Sequence, residues 1–400
     1  MSLEKEAKIK VQNITKIFGP HKDEALKLMQ QGMSKVEILQ KTGATVGVNQ
    51  ANFSVAPGEI FVIMGLSGSG KSTLLRMINR LINPTQGAIY IDGENIIKFN
   101  KKQLRQLRQK KLSMVFQNFA LLPNLTVLQN AAYGLEIQGM ELNKRNQKAH
   151  DALELVHLHG YDGQYPQQLS GGMQQRVGLA RALATDSQIL LMDEAFSALD
   201  PLNRKDMQDQ LLEIQEKMHK TIVFISHDLN EALRIGDHIL IMHDGTIDQI
   251  GEPEEILTNP ANDYVARFIE DVDRTKALTV KSVMTKPDTI NINKSGPRVA
   301  LQRMWVNKIS SIYVVDDENH FVGFVDSDDV SQLVKQGSRD LRSVLRTKVP
   351  STKPDVLISD LIDQISKTPI PFAVLDDQNH LLGIILRGSV LAAIAGEEVE

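Results

Sequence analysis

The sequence predicts an α/β protein with a mainly parallel sheet, followed by a smaller α+β pair of repeats. Three observations carry this expectation. Buried-strand runs alternate with helical patterns over the first two thirds of the chain. A G-x-x-x-x-G-K-[ST] loop follows one of those runs and opens a helix. Near the C-terminus a segment repeats itself without gaps.

The strands expected are 59–64 (EIFVIM), 112–116 (LSMVF), 189–193 (ILLMD), 221–226 (TIVFIS) and 238–242 (HILIM). Each is a short apolar run of the kind buried on both faces of a parallel sheet. Residues 1–58 hold strand-like pieces around an insertion at 20–44. Within it, Leu26, Met29, Met33, Val36 and Leu39 fall at helical spacing, and Gly32 and Ser34 split the pattern into two short helices. At 271–278 the pattern weakens and charges cluster, which places a domain boundary there. Beyond it, 314–325 (VVDDENHFVGFV) aligns with 374–385 (VLDDQNHLLGII) at an offset of 60 residues. Each copy reads as strand, DD-x-NH turn and strand, with a helix after it.

The 400 residues suit two or three domains, and 42% hydrophobic with 24% charged residues excludes disordered and collagen-like readings. The formal net charge of −4 gives no global case for nucleic acid as a partner. With no cysteine, the chain has no disulfide framework, thiolate nucleophile or zinc–cysteine site. The N-terminal MSLEKEAKIK does not read as a signal peptide. No run of about 18 apolar residues is present, so a membrane role is expected to be peripheral.

The motif Gly65-Leu66-Ser67-Gly68-Ser69-Gly70-Lys71-Ser72, followed by Thr73, is the P-loop. Glycines let backbone N–H groups point at phosphate oxygens, and the helix N-terminus adds favourable dipole charge. Lys71 is expected at the β- and γ-phosphates of ATP, and the Ser72 hydroxyl at Mg²⁺. The strand 189–193 ends in Asp193 and Glu194. Asp193 is expected to hold Mg²⁺ through water, and Glu194 to polarise the attacking water.

Between these motifs lies Leu169-Ser170-Gly171-Gly172-Met173-Gln174-Gln175-Arg176, which resembles the signature of ATP-binding-cassette (ABC) ATPases. Met173 stands where the commonest form has Gln, and the Ser-Gly-Gly core is intact. The resemblance covers most of residues 1–270. It implies a P-loop ABC ATPase domain over 1–272 with a helical subdomain at about 118–186, and a head-to-tail homodimer in which Ser170, Gly171 and Gly172 bind the γ-phosphate held by the other subunit. It further implies that Gln117 senses Mg²⁺ and nucleotide, that Asp200 in the D-loop crosses the dimer interface, and that His227 is the switch histidine at the γ-phosphate. Phe18 is the candidate for stacking on adenine.

One cassette without a coiled-coil insertion points to a transporter subunit rather than a repair or translation ATPase. Its pore is then a separate membrane permease, contacted from the cytoplasmic face. The insertion 20–44, the stretch 61–70 and the stretch 191–201 look like the ATPase subunits of glycine betaine/proline importers. Such a system draws its solute from a substrate-binding domain or protein acting through the permease. Another amine or amino-acid importer is the alternative, and a soluble nucleotide-sensing regulator the remaining one. The repeats look like tandem CBS domains, at 276–336 and 338–396. CBS pairs imply an adenine nucleotide (cyclic di-AMP, AMP or ATP). By position Asp329 maps to a ribose contact, with Ser389 at the same place in the second copy, and Lys281 and Arg387 are phosphate candidates.

Segment 98–111 carries seven basic residues and no acid. Lys101, Lys102, Arg105 and Arg108 form either a solvated face or a salt-sensitive contact with anionic lipid or an acidic surface.

Overall fold

The computed structural model describes residues 7–270, 272–368 and 370–395. The chain divides into two compact units, Met1–Val272 and Asp273–Glu400.

The first unit is built on a six-stranded sheet. Its order is Thr246–Gly251, His238–His243, Ile60–Met64, Thr221–Ile225, Ile189–Asp193 and Leu112–Phe116. All neighbours are parallel except the first pair. That pair is a hairpin whose two-residue turn, Asp244 at φ 46 and Gly245 at φ 82, has the left-handed backbone that tight hairpins require. Ile60–Met64, Ile189–Asp193 and Thr221–Ile225 are buried at every residue, as expected for apolar runs covered on both faces. Because these strands run parallel, their C-terminal ends share one edge. Gly65, Gln117, Glu194 and Ser226-His227 therefore follow neighbouring strands at that edge. Open α/β sheets bind ligands at such an edge.

A second, antiparallel sheet has the order Thr45–Val55, Ile9–Phe18, Gln86–Ile91 and Glu94–Asn95. The insertion is an excursion between its first two strands. It forms two helices, Lys22–Gln30 and Lys35–Thr42. Ser34 opens the second helix with a capping box to Glu37, and Gly43 closes it at φ 68. Ile17, Ala25, Met29, Ile38 and Val46 pack beneath the helices. The chain returns with Thr45 opposite Phe18, so the insertion leaves the strand pair intact. The two sheets share a core across the P-loop helix, with Ile9, Phe53 and Ile89 from one side and Ile63, Leu191 and Val223 from the other. Phe53 stacks on Phe61 with centroids 5.3 Å apart. Helices Val127–Ile137, Leu142–Leu155 and Gly171–Ala184 pack on one another as a helical subdomain.

The second unit holds two three-stranded sheets of the same design. Thr289–Asn291 pairs in parallel with Ser311–Val315, which pairs antiparallel with Phe321–Asp326. Ser351–Thr352, Phe372–Leu375 and Leu381–Ile385 repeat the pattern. The DD-x-NH residues build identical turns. Asp316 Oδ1 accepts the backbone N–H groups of Glu318 and His320 at 2.9 and 2.8 Å. Asp376 does the same for Gln378 and His380 at 3.0 and 2.7 Å. Asn319 and Asn379 take left-handed φ values of 67 and 66, which asparagine tolerates. The two turns then join each other. Phe321 N donates to Asn379 O at 2.8 Å, Leu381 N to Asn319 O at 3.2 Å, and the His320 and His380 rings stack at 4.6 Å. Among the described residues no helix is long and apolar enough to cross a membrane.

Candidate functional site

The P-loop connects the buried strand Ile60–Met64 to the helix Lys71–Ile78, with Gly70 at its N-cap. Gly70 has φ 106, and a Cβ there would lie 2.4 Å from Gly47 O. A Gly70→Ala variant combines left-handed strain with a backbone collision, so it should lose on the order of 1–3 kcal/mol. A thermal melt reads this as a drop of several degrees, and an unchanged midpoint would contradict the packing described. Ser69 is buried and its hydroxyl has no hydrogen-bond partner. An orphaned hydroxyl inside a cradle of N–H groups fits a phosphate oxygen.

Lys71 is 6% exposed, and its Nζ donates to Gly65 O at 2.7 Å and Leu66 O at 3.1 Å. Burial pushes its ammonium below the usual lysine range, and Glu194 and Asp193 oppose that. Ser72 Oγ donates to Asp193 Oδ1 at 2.9 Å. Asp193 is buried and also meets Arg76 Nη2 at 3.1 Å. A hydroxyl and a carboxylate brought together suit a hard, oxygen-seeking cation such as Mg²⁺. Thr73 continues the same helix, with its side chain half-buried.

Glu194 takes a left-handed backbone, φ 47, which a non-glycine residue adopts at some cost. Its Oε2 accepts from Gln117 Nε2 at 3.2 Å and lies 3.7 Å from His227 Nδ1. Gln117 Nε2 also donates to Ser197 Oγ at 3.2 Å, and Ser197 Oγ bonds back to Glu194 O at 2.9 Å. Lys71, Ser72, Asp193, Gln117, Glu194 and His227 are thus gathered at one sheet edge. Sequence reasoning missed Arg76 and Ser197. Neither lies in a fixed spacing that names its role, although Ser197 falls inside the stretch that ends at Asp200.

Phe18 ends its strand half-exposed, with Lys16 Nζ 4.9 Å from its ring centre. Its ring abuts Gly47, where an added Cβ would come within 2.7 Å, and Gly47 O is the atom that approaches Gly70. Gly47 thus lies between the edge of the Phe18 ring and Gly70 of the P-loop.

Ser170 and Asp200 stand apart from this cluster. Ser170 caps the helix Gly171–Ala184 by accepting from Met173 N at 3.4 Å. Asp200 caps the helix Pro201–Met218 and accepts from Asn203 N and Nδ2 at 3.2 and 2.6 Å. The Asn203 amide holds the Asp200 carboxyl below the usual carboxylate range. Gly172 faces Asn203, so the signature and the D-loop helix adjoin. Among the described residues no hydrogen bond or ion pair joins Ser170–Gly172 to the P-loop.

The family model for ABC transporters matches residues 48–197, and that for CBS domains matches 280–335 and 341–396. The glycine betaine/carnitine transport ATP-binding protein GbuA of Listeria monocytogenes is 59% identical over 98% of this chain and 99% of that protein. The glycine betaine/proline betaine transport system ATP-binding protein ProV of Escherichia coli is 47% identical over 98% of both. The chain belongs to the ATP-binding subunits of ABC transporters. A dimeric post-hydrolysis ATP-binding cassette bound to ADP and phosphate has a similar fold. It matches with a TM-score of 0.53 and 32% identity over 61% of this chain and 98% of that one.

In this ABC subunit the basic segment forms the helix Lys101–Lys110, opened by an Asn100–Gln103 capping box. Leu107 is buried, while Lys101, Lys102 and Arg105 are exposed. Arg108 differs from them. Its Nε donates to Asn79 O at 3.0 Å and its Nη2 to Arg80 O at 2.8 Å, so its guanidinium ties the helix to the end of the P-loop helix. Lys111 is likewise held by Asp92, at 2.6 Å.

The CBS unit contains a cleft of about 660 Å³, to which Lys286, Lys308, Tyr313, Asp326 and Arg346 contribute. Lys281, Asp329 and Arg387 do not line it. Arg387 instead donates to the carbonyls of Ile365, Ser366 and Thr368 at 3.0, 2.9 and 2.7 Å, closing the end of the helix Ile358–Lys367. Asp329 Oδ2 meets Arg346 Nη2 at 2.7 Å, which raises the Arg346 guanidinium further above neutrality. Asp329 therefore reaches the cleft only by orienting Arg346. Sequence reasoning missed Arg346, because it lies in a connecting segment with no motif of its own.

Proposed function

We propose that this subunit hydrolyses ATP to power import of glycine betaine, or a related quaternary amine, through a separate membrane permease. The observation that carries the ATPase reading is the convergence of Lys71, Ser72, Asp193, Gln117, Glu194 and His227 at one sheet edge. The substrate reading is supported by relatives that align over nearly their whole length and are named for glycine betaine transport.

Lys71 exchanges the carbonyls of Gly65 and Leu66 for phosphate oxygens when ATP enters. Phe18 stacks on the adenine. Ser72, Asp193 and Gln117 would hold Mg²⁺, which would neutralise phosphate charge. Glu194 accepts the hydrogen bond, and then the proton, of the attacking water. The water oxygen bonds to the γ-phosphorus, the bond to the β–γ bridging oxygen breaks, and ADP and phosphate result. His227, beside Glu194, donates to the γ-phosphate. The N-terminus of the helix Gly171–Ala184, with Ser170, Gly171 and Gly172, completes the site of a second copy, because its free N–H groups suit an anion. Asp200 meets that copy at the interface. Closure around ATP and reopening after hydrolysis drive the permease. The domains act as an ATPase over 1–272, with its helical subdomain at about 118–186, and CBS domains at 276–336 and 338–396. The subunit works at the cytoplasmic face of the membrane, with the solute delivered by a substrate-binding domain or protein.

Uptake of labelled glycine betaine by cells whose only importer is this subunit with its permease and substrate-binding domain or protein tests the substrate reading. Unlabelled glycine betaine should compete, and an unrelated amino acid should not. Competition by the amino acid alone would favour an amino-acid importer.

Regulation belongs to two places. Lys101, Lys102 and Arg105 offer free charge to anionic lipid, at about 1 kcal/mol per cation and a range of about 8 Å at physiological salt. Replacing these three with Gln should flatten the salt dependence of transport. A salt response equal to that of the wild type would remove lipid contact from the account. The CBS cleft takes an adenine nucleotide, with Arg346 and Lys308 toward its phosphates. Calorimetry with the full chain separates cyclic di-AMP, AMP and ATP there. In an Arg346→Ala variant the cleft-specific signal should weaken roughly tenfold, the scale of one charge-assisted hydrogen bond. An unchanged signal would move the nucleotide elsewhere.

A further inference from the structure

The loop bearing His227 is tied to the helix bearing Asp200 through one buried carboxylate. Glu231 lies on the helix Leu229–Ile235 and is 6% exposed. Its Oε2 accepts from Ser226 Oγ, and its Oε1 accepts from Gln208 Nε2 at 3.0 Å. Ser226 Oγ in turn accepts from Asp228 N at 3.0 Å. Ser226 and Asp228 are the two residues that flank His227. Gln208 belongs to the helix Pro201–Met218, which Asp200 caps. A second link runs in parallel. Arg204 Nη1 meets Asp228 Oδ2 at 3.4 Å, and Arg204 Nη2 donates to Leu199 O at 3.1 Å, next to Asp200. Gln208 Oε1 also accepts from Arg234 Nη1 at 3.3 Å, so its amide orientation is fixed from both ends.

A buried carboxylate is a costly way to fill space, and an apolar side chain would pack there without desolvation. Burial pushes the Glu231 carboxyl up, while Ser226 and Gln208 oppose that by hydrogen bonding. The two Glu231 oxygens take donors from different elements, the His227 loop and the helix Pro201–Met218, which is geometry that packing alone does not need.

We infer that Glu231, acting with Gln208, is a positioning residue that makes the placement of His227 over Glu194 depend on the placement of the Asp200 loop. This rests on the proposed function, in which Asp200 meets the second copy and His227 serves the γ-phosphate. A shift at the interface is then carried to the hydrolytic site through the hydrogen bonds of Glu231 with Ser226 and Gln208 and the Arg204–Asp228 ion pair.

The test uses the full-length chain with Mg-ATP and the variants Glu231→Gln, Gln208→Ala and their combination. In Glu231→Gln the amide keeps the volume and turns its oxygen to Gln208. Its NH₂ then faces Ser226 Oγ, so the charge-assisted bond from Ser226 to the carboxylate is lost and the hydroxyl must turn to Asp228 O, 3.2 Å away. Each single variant should lose roughly tenfold in kcat, because small misplacements remote from the reacting atoms are costly. ATP affinity should stay within about twofold, since the P-loop, Lys71 and Phe18 contacts are untouched and only the His227 contact and the hydrolytic arrangement move. The double variant should fall no further than the more affected single one, the mark of one shared linkage. A kcat close to that of the wild type in both single variants would overturn the inference. So would additive losses, or affinity, kcat and melting temperature falling together. Should one variant fail to fold, the other decides by the same criteria. An inactive wild-type chain would strike the proposed function instead, whereas an active one with indifferent variants strikes only this linkage.

Discussion

Glu194→Gln is expected to lower ATP turnover by about 100- to 10,000-fold, the usual worth of a positioned general base. The substitution keeps the volume and the acceptor oxygen that faces Gln117, which stands 3.2 Å away. It removes the negative charge that takes a proton from water. Lys71, Ser72, Asp193 and the P-loop backbone are unchanged, so ATP still binds. If hydrolysis reopens the dimer, as the proposed function has it, the variant should accumulate as an ATP-bound dimer. Size-exclusion chromatography with ATP reads the trap, and phosphate release reads the rate. Near-normal turnover would remove Glu194 from its role and leave His227, 3.7 Å from it, as the nearest alternative base.

Lys71→Met carries the second large effect, on binding rather than chemistry. Methionine is close to lysine in length and shape but cannot donate, so it fills the buried channel beside Gly65 and Leu66. The lost contacts are charge-assisted hydrogen bonds to phosphate, worth about 1.5–3 kcal/mol, or about 10- to 100-fold in affinity. The fold should tolerate the change, because burial already works against the ammonium and its removal relieves that cost. Titration with a fluorescent ATP analogue gives the affinity, and a thermal melt gives the stability. Weakened binding with a melting temperature within a few degrees is the expected pair. Unchanged binding would mean that the phosphates do not lie against Lys71.

The parts of this molecule that were legible in the sequence are those where one short segment carries both its fold and its chemistry. Ile189–Asp193 is an apolar strand that runs into Glu194 at the candidate site, and Ile60–Met64 runs straight into the glycines of the P-loop. Ser170 is both an N-cap and a signature residue. The DD-x-NH repeat was legible as a pair of turns, yet its joining of the two repeats through stacked histidines was not, because that contact spans 60 residues. The antiparallel sheet was also obscure. Register shifts around Asn13 and Lys16 break the alternation that announces a half-buried strand. Charged side chains were read least well. Arg108 and Arg387 look free in sequence, but backbone carbonyls far along the chain engage both. Arg346 enters the CBS cleft from a segment without a pattern. A guanidinium's partner is set by tertiary packing, and local spacing does not encode it.

In the proposed function, ATP hydrolysis by this chain is coupled to solute import through a permease. The most direct measurement is made in proteoliposomes holding this subunit and its permease, with the substrate-binding domain or protein supplied and Mg-ATP at the face where the subunit sits. Phosphate release and accumulation of labelled glycine betaine are followed together. Uptake should require ATP, hydrolysis should rise with the supplied solute, and both should be lost in Glu194→Gln. Solute accumulation that continues in Glu194→Gln vesicles, or hydrolysis indifferent to the solute and the permease, would contradict that coupling.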